Sequence, residues 1–406
     1  MPKWLRISVF LACISIAPLR AQDVDPGITR VIAEVNPDSL IATVGRLSGE
    51  TPVWIRGGET IILSRNKNHP GNDLAAEYIA ERLSRMGLEV ENHWFSETGR
   101  NVLGFQAGGL YPGQVYLLSA HYDSMPDSAV SPGADDNASG VAAVLEAARI
   151  LAGAELNFSV IYAFWDEEEY GYIGSRAYAV RAVSRKEDIR GVINLDMIGW
   201  DGNGDMRILL DIGRNADRNP LFDTANHVNG AYGIGLTIAT DTGTVQSDQR
   251  PFRNHGFLAL GIHEYLPGDM NPFYHTVNDR VEHLHPDFFL RCARLAAGTI
   301  ASLAQSGLMV AVETIPPDRA VLTLAQNHPN PFNPETVIAY TIPEPGHVVL
   351  DMWDMLGRQV STLVDGWRMA GPHAVTVDGR HLPSGMYTYR IQMDGWMRQR
   401  KMLLLK

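Results

Sequence analysis

Cysteine is scarce. Cys13 and Cys292 are the two in 406 residues. Cys13 lies in an apolar run close to the first residue, and removal of that run would leave Cys292 alone, with no intramolecular disulfide possible. A chain exported in that form must be held by its core or by metal. Cys292 itself, in "LRCARLAAGTIASLA", reads as a buried helix residue. Basic charge is also in deficit. Lys and Arg number 34 against 46 Asp and Glu, a formal net charge of -12. That argues against nucleic acid, whose binding depends on a basic face. Beyond the first stretch no run of roughly 18 apolar residues occurs, so no transmembrane span is expected in the mature chain. Internal repeats and low-complexity tracts are missing too.

What is present reads as globular. Hydrophobic residues make up 45% and charged residues 20%, enough to bury a sizeable core. The length suggests two domains behind a leader. The opening "MPKWLRISVFLACISIAPLRAQ" sets Lys3 and Arg6 ahead of an apolar segment and ends in "LRA". This is the layout of a signal peptide over residues 1–21, with cleavage after Ala21 and an exported, secreted or cell-surface product. Residues 22–48 form a lead-in whose structure the pattern leaves undetermined. A first domain is expected over 49–312, a Pro-containing linker over 313–320 ("ETIPPDRA"), and a second domain over 321–406.

The first domain alternates helices and strands. "NDLAAEYIAERLSRMG" has apolar residues at helical spacing and a Gly stop, and "SGVAAVLEAARILAG" runs from a Ser to a Gly. "FFLRCARLAAGTIASLAQ" is a last helix. "QVYLLSAH", "FSVIYAFW", "GVINLDMIG" and "FLALGIHE" are short continuous apolar runs, hence strands buried on both faces. Such strands separated by helices imply an α/β fold, a mainly parallel (mixed) sheet with helices on both faces. After the linker, "HVVLDMWDM", "HAVTVDG" and "GMYTYRIQM" alternate with turns at short intervals. This predicts an all-β module of the sandwich kind.

Chemistry gathers at the strand ends. The first buried strand ends in His121 and Asp123, the second in Asp166 followed by Glu167, Glu168 and Glu169, the third in Asp196. Ligands of open α/β sheets bind outside the carboxyl ends of the strands. Between the first two strands stands "SPGADDNASG", with Asp135, Asp136 and Asn137, and later "NPFYHTVNDRVEHLH", with His275. Carboxylates held close together raise one another's pKa unless a cation neutralises them. Two histidines among several carboxylates form an N/O donor set suited to zinc or a neighbouring divalent metal.

The series "HYDS", "SPGADDNASGVAAVLE", "FWDEEEYGYIGSRAY", "NLDMIGW" and "NPFYHTVND" closely resembles the secreted di-zinc aminopeptidases of the aminopeptidase S and aminopeptidase Y type. The resemblance spans roughly residues 70 to 305 and implies the zinc-peptidase fold with two zinc ions per chain. It implies that His121 and Asp196 bind the first zinc, Glu169 and His275 the second, and that Asp136 bridges both. Asp136 is preferred over Asp135 because Asn-Ala-Ser-Gly follows it, and Glu169 is found by counting back from Tyr170-Gly171. By the same carry-over Glu168 is the general base and Asp123 orients His121. Tyr274 polarises the substrate carbonyl or stabilises the oxyanion, and the peptide after the bridging Asp is cis. Asp166 and Glu167 receive no role and read as solvated or helix-capping charge.

The activity implied is hydrolysis of the N-terminal peptide bond of peptides with free N-termini, by a metal-bridged hydroxide with Glu168 as base. Rivals on the same scaffold are a glutaminyl cyclase, which uses one zinc, and a carboxypeptidase or dipeptidase. A rival of another class is a non-catalytic surface-binding protein. Among the remaining residues, His263 reads as structural, Glu264 as a candidate pocket residue, and His283 and His285 as surface or supporting residues. Asp248 is a candidate for touching substrate, and Asn137 and Ser139 for capping the following helix. The C-terminal stretch, with "PNPFNP", "DMLGRQV" and "SGMYTYR", resembles the Ig-like sorting domain of type IX secretion in bacteria of the Bacteroidetes kind. That resemblance implies recognition by export machinery.

Overall fold

The computed structural model describes residues 24–213, 219–305, 322–342, 346–355, 357–368, 371–393 and 396–406. The expected signal peptide and linker lie outside the described residues.

The described part of the lead-in is helical. Helices α1 (Pro26–Ala33) and α2 (Pro37–Leu47) each begin on a capping side chain followed by proline. The Asp25 carboxylate accepts from the amides of Gly27 at 2.6 Å and Ile28 at 3.4 Å. The Asn36 carbonyl accepts from Asp38 at 2.8 Å and Ser39 at 3.1 Å. Such caps satisfy amides that have no partner inside the helix, and proline at the first helical position sacrifices none. Ile28, Val31, Leu40, Val44 and Leu47 are buried in the main core. These helices are therefore part of the core that the following residues build.

Strands β1 (Val53–Ile55) and β2 (Gly58–Thr60) pair as a small hairpin. Helix α3 (Pro70–Arg85) buries Ala75, Ala76, Ile79 and Leu83, a stripe at helical spacing, and Gly87 follows it in the left-handed region (φ 81°). Strands β3 (Glu89–Trp94), β4 (Arg100–Gln106) and β5 (Tyr111–His121) come next, then a π-type turn at Ala134–Ser139 that runs into α4 (Gly140–Leu151). Then follow β6 (Phe158–Trp165), α5 (Ile173–Arg185), β7 (Asp188–Leu195), β8 (Arg207–Asp211), α6 (Pro220–Ala231), β9 (Thr237–Asp241) and α7 (Gln249–Asn254). The series closes with β10 (Ala259–Glu264), the short α8 (Leu266–Asp269) and α9 (Pro286–Gln305).

Eight of these strands form one sheet in the order β3-β4-β6-β5-β7-β10-β8-β9. Its centre is parallel, β6-β5-β7-β10, as the buried apolar runs predict. Antiparallel pairs β3-β4, β4-β6 and β10-β8 flank it, so the sheet is mixed. Helix α4 is buried almost all round, which explains its alanines: large side chains would hold it off the sheet. Cys292 is fully buried on α9, as expected. No helix among the described residues is long and apolar enough to cross a membrane.

Beyond residue 321 the chain is all-β. Strands β11 (Thr323–Leu324), β12 (Glu335–Ile342) and β15 (Gly371–Asp378) make one antiparallel sheet. Strands β13 (Gly346–Asp354), β14 (Gln359–Arg368), β16 (Gly385–Met393) and β17 (Trp396–Leu404) make the other. Their inner faces share a second core, with Ile338, Tyr340, Leu350, Tyr389 and Ile391. Along β12 exposed and buried residues alternate without a break, the signature of a strand with one wet face.

Leu40 is 1% exposed on α2. Leu40→Ala is expected to lower stability by about 2–5 kcal/mol through lost burial and a residual cavity. Urea unfolding at equilibrium measures it, and an unchanged midpoint would mean that α2 does not belong to the core.

Candidate metal centre

Because β5, β6, β7 and β10 run parallel, their carboxyl ends meet at one edge. His121 is the last residue of β5, Asp166 follows β6, Asp196 follows β7, and Glu264 ends β10. Four bulky residues at this edge take the left-handed backbone region: Glu167 (φ 56°), Tyr172 (φ 57°), Met197 (φ 56°) and His275 (φ 57°). Each such conformation costs on the order of 1–3 kcal/mol and persists only where the surroundings impose it. The peptide between Asp136 and Asn137 is cis.

The loops bring His121, Asp136, Glu168, Glu169, Asp196, Tyr274 and His275 together around a cleft of about 630 Å³. His121 Nε2 lies 3.3 Å from one oxygen of Asp136 and 3.2 Å from Asp196 Oδ1. His275 Nε2 lies 3.1 Å from the other oxygen of Asp136 and 2.8 Å from Glu169 Oε2. Asp136, not Asp135, is thus the carboxylate between the imidazoles. Asp136 Oδ2, Glu169 Oε1 and His275 Nε2 are buried without a partner in hydrogen-bonding geometry. One ligand atom each from His121, Asp136 and Glu169 falls within 4.8 Å of the others. Imidazole nitrogens and carboxylate oxygens converging in a buried space are what a borderline divalent ion such as zinc binds. The residues therefore fit the metal.

The electrostatics agree. Burial opposes charge on His275, but its contacts with Asp136 and Glu169 prevail and hold the imidazolium up to about 10. Burial likewise opposes charge on His121, and Asp196, Asp123 and Asp136 together still raise it well above the usual histidine range. Asp136 is pulled the other way: burial resists its ionisation, yet the two imidazoles keep it below the ordinary carboxylate range. Burial, then the charge of Asp136, pushes Glu169 up to about 8. The cluster offsets its negative charge by holding protons. A divalent ion competes for the same lone pairs, so its binding releases protons and weakens as pH falls.

Asp123 supports the site from behind. Fully buried, it stands 3.4 Å from His121 Nδ1 through Oδ1. Its two oxygens also accept the amides of Glu168 at 3.1 Å and Glu169 at 3.2 Å. One carboxylate thereby sets both the imidazole and the turn (Glu168–Tyr170) that carries the two glutamates. Tyr274 stacks on His275 with ring centres 3.7 Å apart.

Several expectations need correction. Asp166 and Glu167 are not solvated. Asp166 is 1% exposed and accepts from Asn72 Nδ2 at 2.8 Å, the amide of Glu167 at 2.9 Å and that of Arg100 at 3.2 Å. Glu167 is buried against the Lys67 ammonium at 3.0 Å. Their carboxylates brace the turn instead of meeting water. Glu264 is fully buried, accepts the Asn271 amide at 3.0 Å and does not line the cleft. Asp248 is fully buried and stands outside the cleft wall as well. His263 does line it, with Nδ1 3.0 Å from the Asp196 carbonyl, to which it donates. Asn137 caps α4 through the Gly140 amide at 2.9 Å and also donates to the Leu195 carbonyl at 2.8 Å. Ser139 makes no cap bond; its hydroxyl donates to the Asp135 carbonyl at 2.7 Å.

Three residues escaped the sequence reading: Asp279, Asn271 and Arg65. Asp279 accepts the amides of Asp135 and Asp136. Asn271 donates to Asp135 Oδ2 at 2.9 Å. Arg65 donates to four backbone carbonyls. Asp279 and Asn271 flank His275 in "NPFYHTVND", but nothing in that spelling shows that their partners are elsewhere in the chain.

The chain is 29% identical over 221 residues to aminopeptidase YwaD of Bacillus subtilis, covering 50% of this chain and 45% of that protein. It spans about half the length of the curated relatives it matches first. Its fold is similar to the zinc aminopeptidase BSAP of Bacillus subtilis, with a TM-score of 0.57 at 16% identity, covering 67% of this chain and 96% of that one. It is also similar to a glutaminyl cyclase of Bacteroides thetaiotaomicron, with a TM-score of 0.53 at 19% identity over 66% of this chain and 98% of that one. Residues 101–300 match the model of Peptidase family M28. That stretch carries His121, Asp136, Glu169, Asp196 and His275, the five side chains that converge on the cleft.

Proposed function

We propose that this chain is a two-metal aminopeptidase that removes the first residue from peptides with a free N-terminus. The observation that carries the reading is the division of Asp136, one oxygen facing His121 beside Asp196, the other facing His275 beside Glu169. His121, Asp136 and Asp196 would hold one zinc, and Asp136, Glu169 and His275 a second. When bound, the pair supplies Lewis acidity toward water and the scissile carbonyl. The family of residues 101–300 and the relatives named aminopeptidases support the same activity.

Glu168 does the proton work. Its carboxyl borders the cleft. Burial above all, opposed by His121 and reinforced by Asp248 and Asp196, holds it well above the ordinary glutamate range. It takes a proton from water as the water oxygen bonds to the carbonyl carbon. It returns that proton to the leaving nitrogen as the C–N bond breaks. Tyr274 is kept protonated by burial and by the carboxylates around it, so its hydroxyl stays a donor for the developing oxyanion. Met197, Leu209, Val245, Leu266, Pro267 and Met270 give the cleft an apolar wall suited to an apolar first side chain.

The fold is equally that of a cyclase, so it does not discriminate. A one-zinc cyclase would leave half of the donor set around Asp136 without a task. A binding-only protein has no need of Glu168. The signal-peptide layout of residues 1–21 and the all-β module support export, with the module as its sorting signal. Mass spectrometry of the exported protein is expected to find Gln22 first, and retention of Met1 would overturn that part.

Purified protein is expected to release amino acids from free N-termini and none from N-acetylated peptides, and to stop when a chelator removes the metal. Glu168→Gln should lower kcat about 10²–10⁴-fold with metal content unchanged. Equal cleavage of acetylated peptides would overturn the assignment, and ring closure of N-terminal glutamine without peptide cleavage would favour the cyclase. Among first residues, leucine should exceed alanine in kcat/KM by about tenfold or more, from the methylenes it buries. A preference for aspartate would contradict the apolar wall.

A further inference from the structure

The loop 132–136, which delivers Asp136, is gripped from two sides, by the guanidinium of Arg65 and the carboxyl group of Asp279. On one side is the Arg65 guanidinium, fully buried. It donates through Nη1 to the carbonyl of Pro132 at 2.5 Å and through Nη2 to that of Gly133 at 2.8 Å. It also donates through Nε to the carbonyl of Tyr122 at 2.7 Å, between His121 and Asp123, and through Nη1 to that of Leu47 at 2.7 Å. Burial pushes the guanidinium down only to about 10, so it stays charged at neutral pH. Gly133 lies so close that a Cβ there would meet Arg65 Nη2 at 2.8 Å, and its φ of 50° also suits glycine. On the other side is Asp279, 1% exposed. Its Oδ1 accepts the amide of Asp135 at 3.0 Å, its Oδ2 that of Asp136 at 2.9 Å, and its backbone carbonyl that of Ala134 at 3.0 Å.

Burying a guanidinium and a carboxyl group is costly unless hydrogen bonds compensate, and here both spend such bonds on peptide groups of one loop. The connectivity shows what those bonds fix. Asp279 stands four residues after His275, whose imidazole faces Asp136 Oδ2. One loop therefore carries both an imidazole aimed at the Asp136 carboxylate and the carboxylate that holds the Asp136 amide. Arg65 ties the same segment to the chain just after His121, the other imidazole facing Asp136. The distances between Asp136 and both histidines are thereby set through its backbone, by residues that reach no metal.

We propose that Arg65 and Asp279 are positioning residues that clamp the Asp136 loop and set the metal affinity of the centre. The inference rests on the two-metal reading above. Replacing groups that orient metal ligands typically weakens binding 10–100-fold.

The test is titration of metal-free full-length protein with zinc by calorimetry, and with cobalt by visible absorption. The wild type is expected to take up two ions. Asp279→Asn places an amide NH2 against a backbone amide and should weaken at least one ion about 10–100-fold, with a changed cobalt spectrum. Arg65→Lys keeps the buried charge but cannot span the same carbonyls. It should move affinity in the same direction, and it carries the test should Asp279→Asn fail to fold. Glu146→Ala is the control: Glu146 is a buried carboxylate that binds the Asn36 amide and the Ser39 hydroxyl, remote from the cleft. It should lower the unfolding midpoint and leave metal affinity alone. Wild-type affinity in both clamp variants would overturn the clamp, and so would an equal loss in Glu146→Ala. A wild type that binds no divalent ion would overturn the two-metal reading itself, and the clamp with it.

Discussion

Everything at the sheet edge depends on one carboxylate with an imidazole at each oxygen. Asp136 is 4% exposed, and an isolated carboxylate that deep would give up its charge. It stays ionised because His121 and His275 approach from opposite sides. Each imidazole in turn needs a further carboxylate, Asp196 on one side and Glu169 on the other. The cluster is therefore two linked halves that share one carboxylate. Removing Asp136 would leave His121 with Asp123 and Asp196, and His275 with Glu169, and no carboxylate shared between the two imidazoles.

A parallel sheet is a natural frame for such a cluster. Strands β5, β6, β7 and β10 end at one edge, so residues from distant parts of the sequence arrive together without long loops. The cost is that the loops beyond those ends bury peptide groups that no strand can pair. Here other acids take up that task. Asp123 accepts two amides in the Glu168–Glu169 turn, Asp279 accepts two in the Asp135–Asp136 loop, and Asp166 accepts those of Glu167 and Arg100. Acids behind the cleft thus fasten the backbone around those that line it, which explains why so many carboxylates crowd one end of the fold.

Much of this was legible in the sequence. The parallel core showed because strands covered on both faces read as unbroken apolar runs. The residues that converge on the cleft showed because each lies at the end of such a run or in a loop of distinctive spelling. Helices α1 and α2 were missed although Asp25-Pro26 and Asn36-Pro37 are ordinary helix starts; their apolar stripes are too short to stand out from a loop. Asp166 and Glu167 were misread because a run of acids after a strand looks the same whether it meets water or Asn72, Arg100 and Lys67. Arg65 and Asp279 bind backbone groups, and any sequence offers backbone groups, so spacing carries no sign of them.

Two adjacent glutamates can serve different ends only if the turn between them is rigid. In the tight turn Glu168–Tyr170 successive side chains point about 120° apart, because such a turn has about three residues per revolution. Glu169 consequently reaches His275, at 2.8 Å, while Glu168 borders the cleft. A slip of one residue would present Glu167 and Glu168 to those places instead, with chemically identical groups. Composition therefore cannot select the register. What selects it is the pair of amides on Asp123, the left-handed backbone of Glu167 and the Lys67 contact that holds the Glu167 side chain away. The distinction between the glutamate that meets the His275 imidazole and the one left to border the cleft resides in these supports.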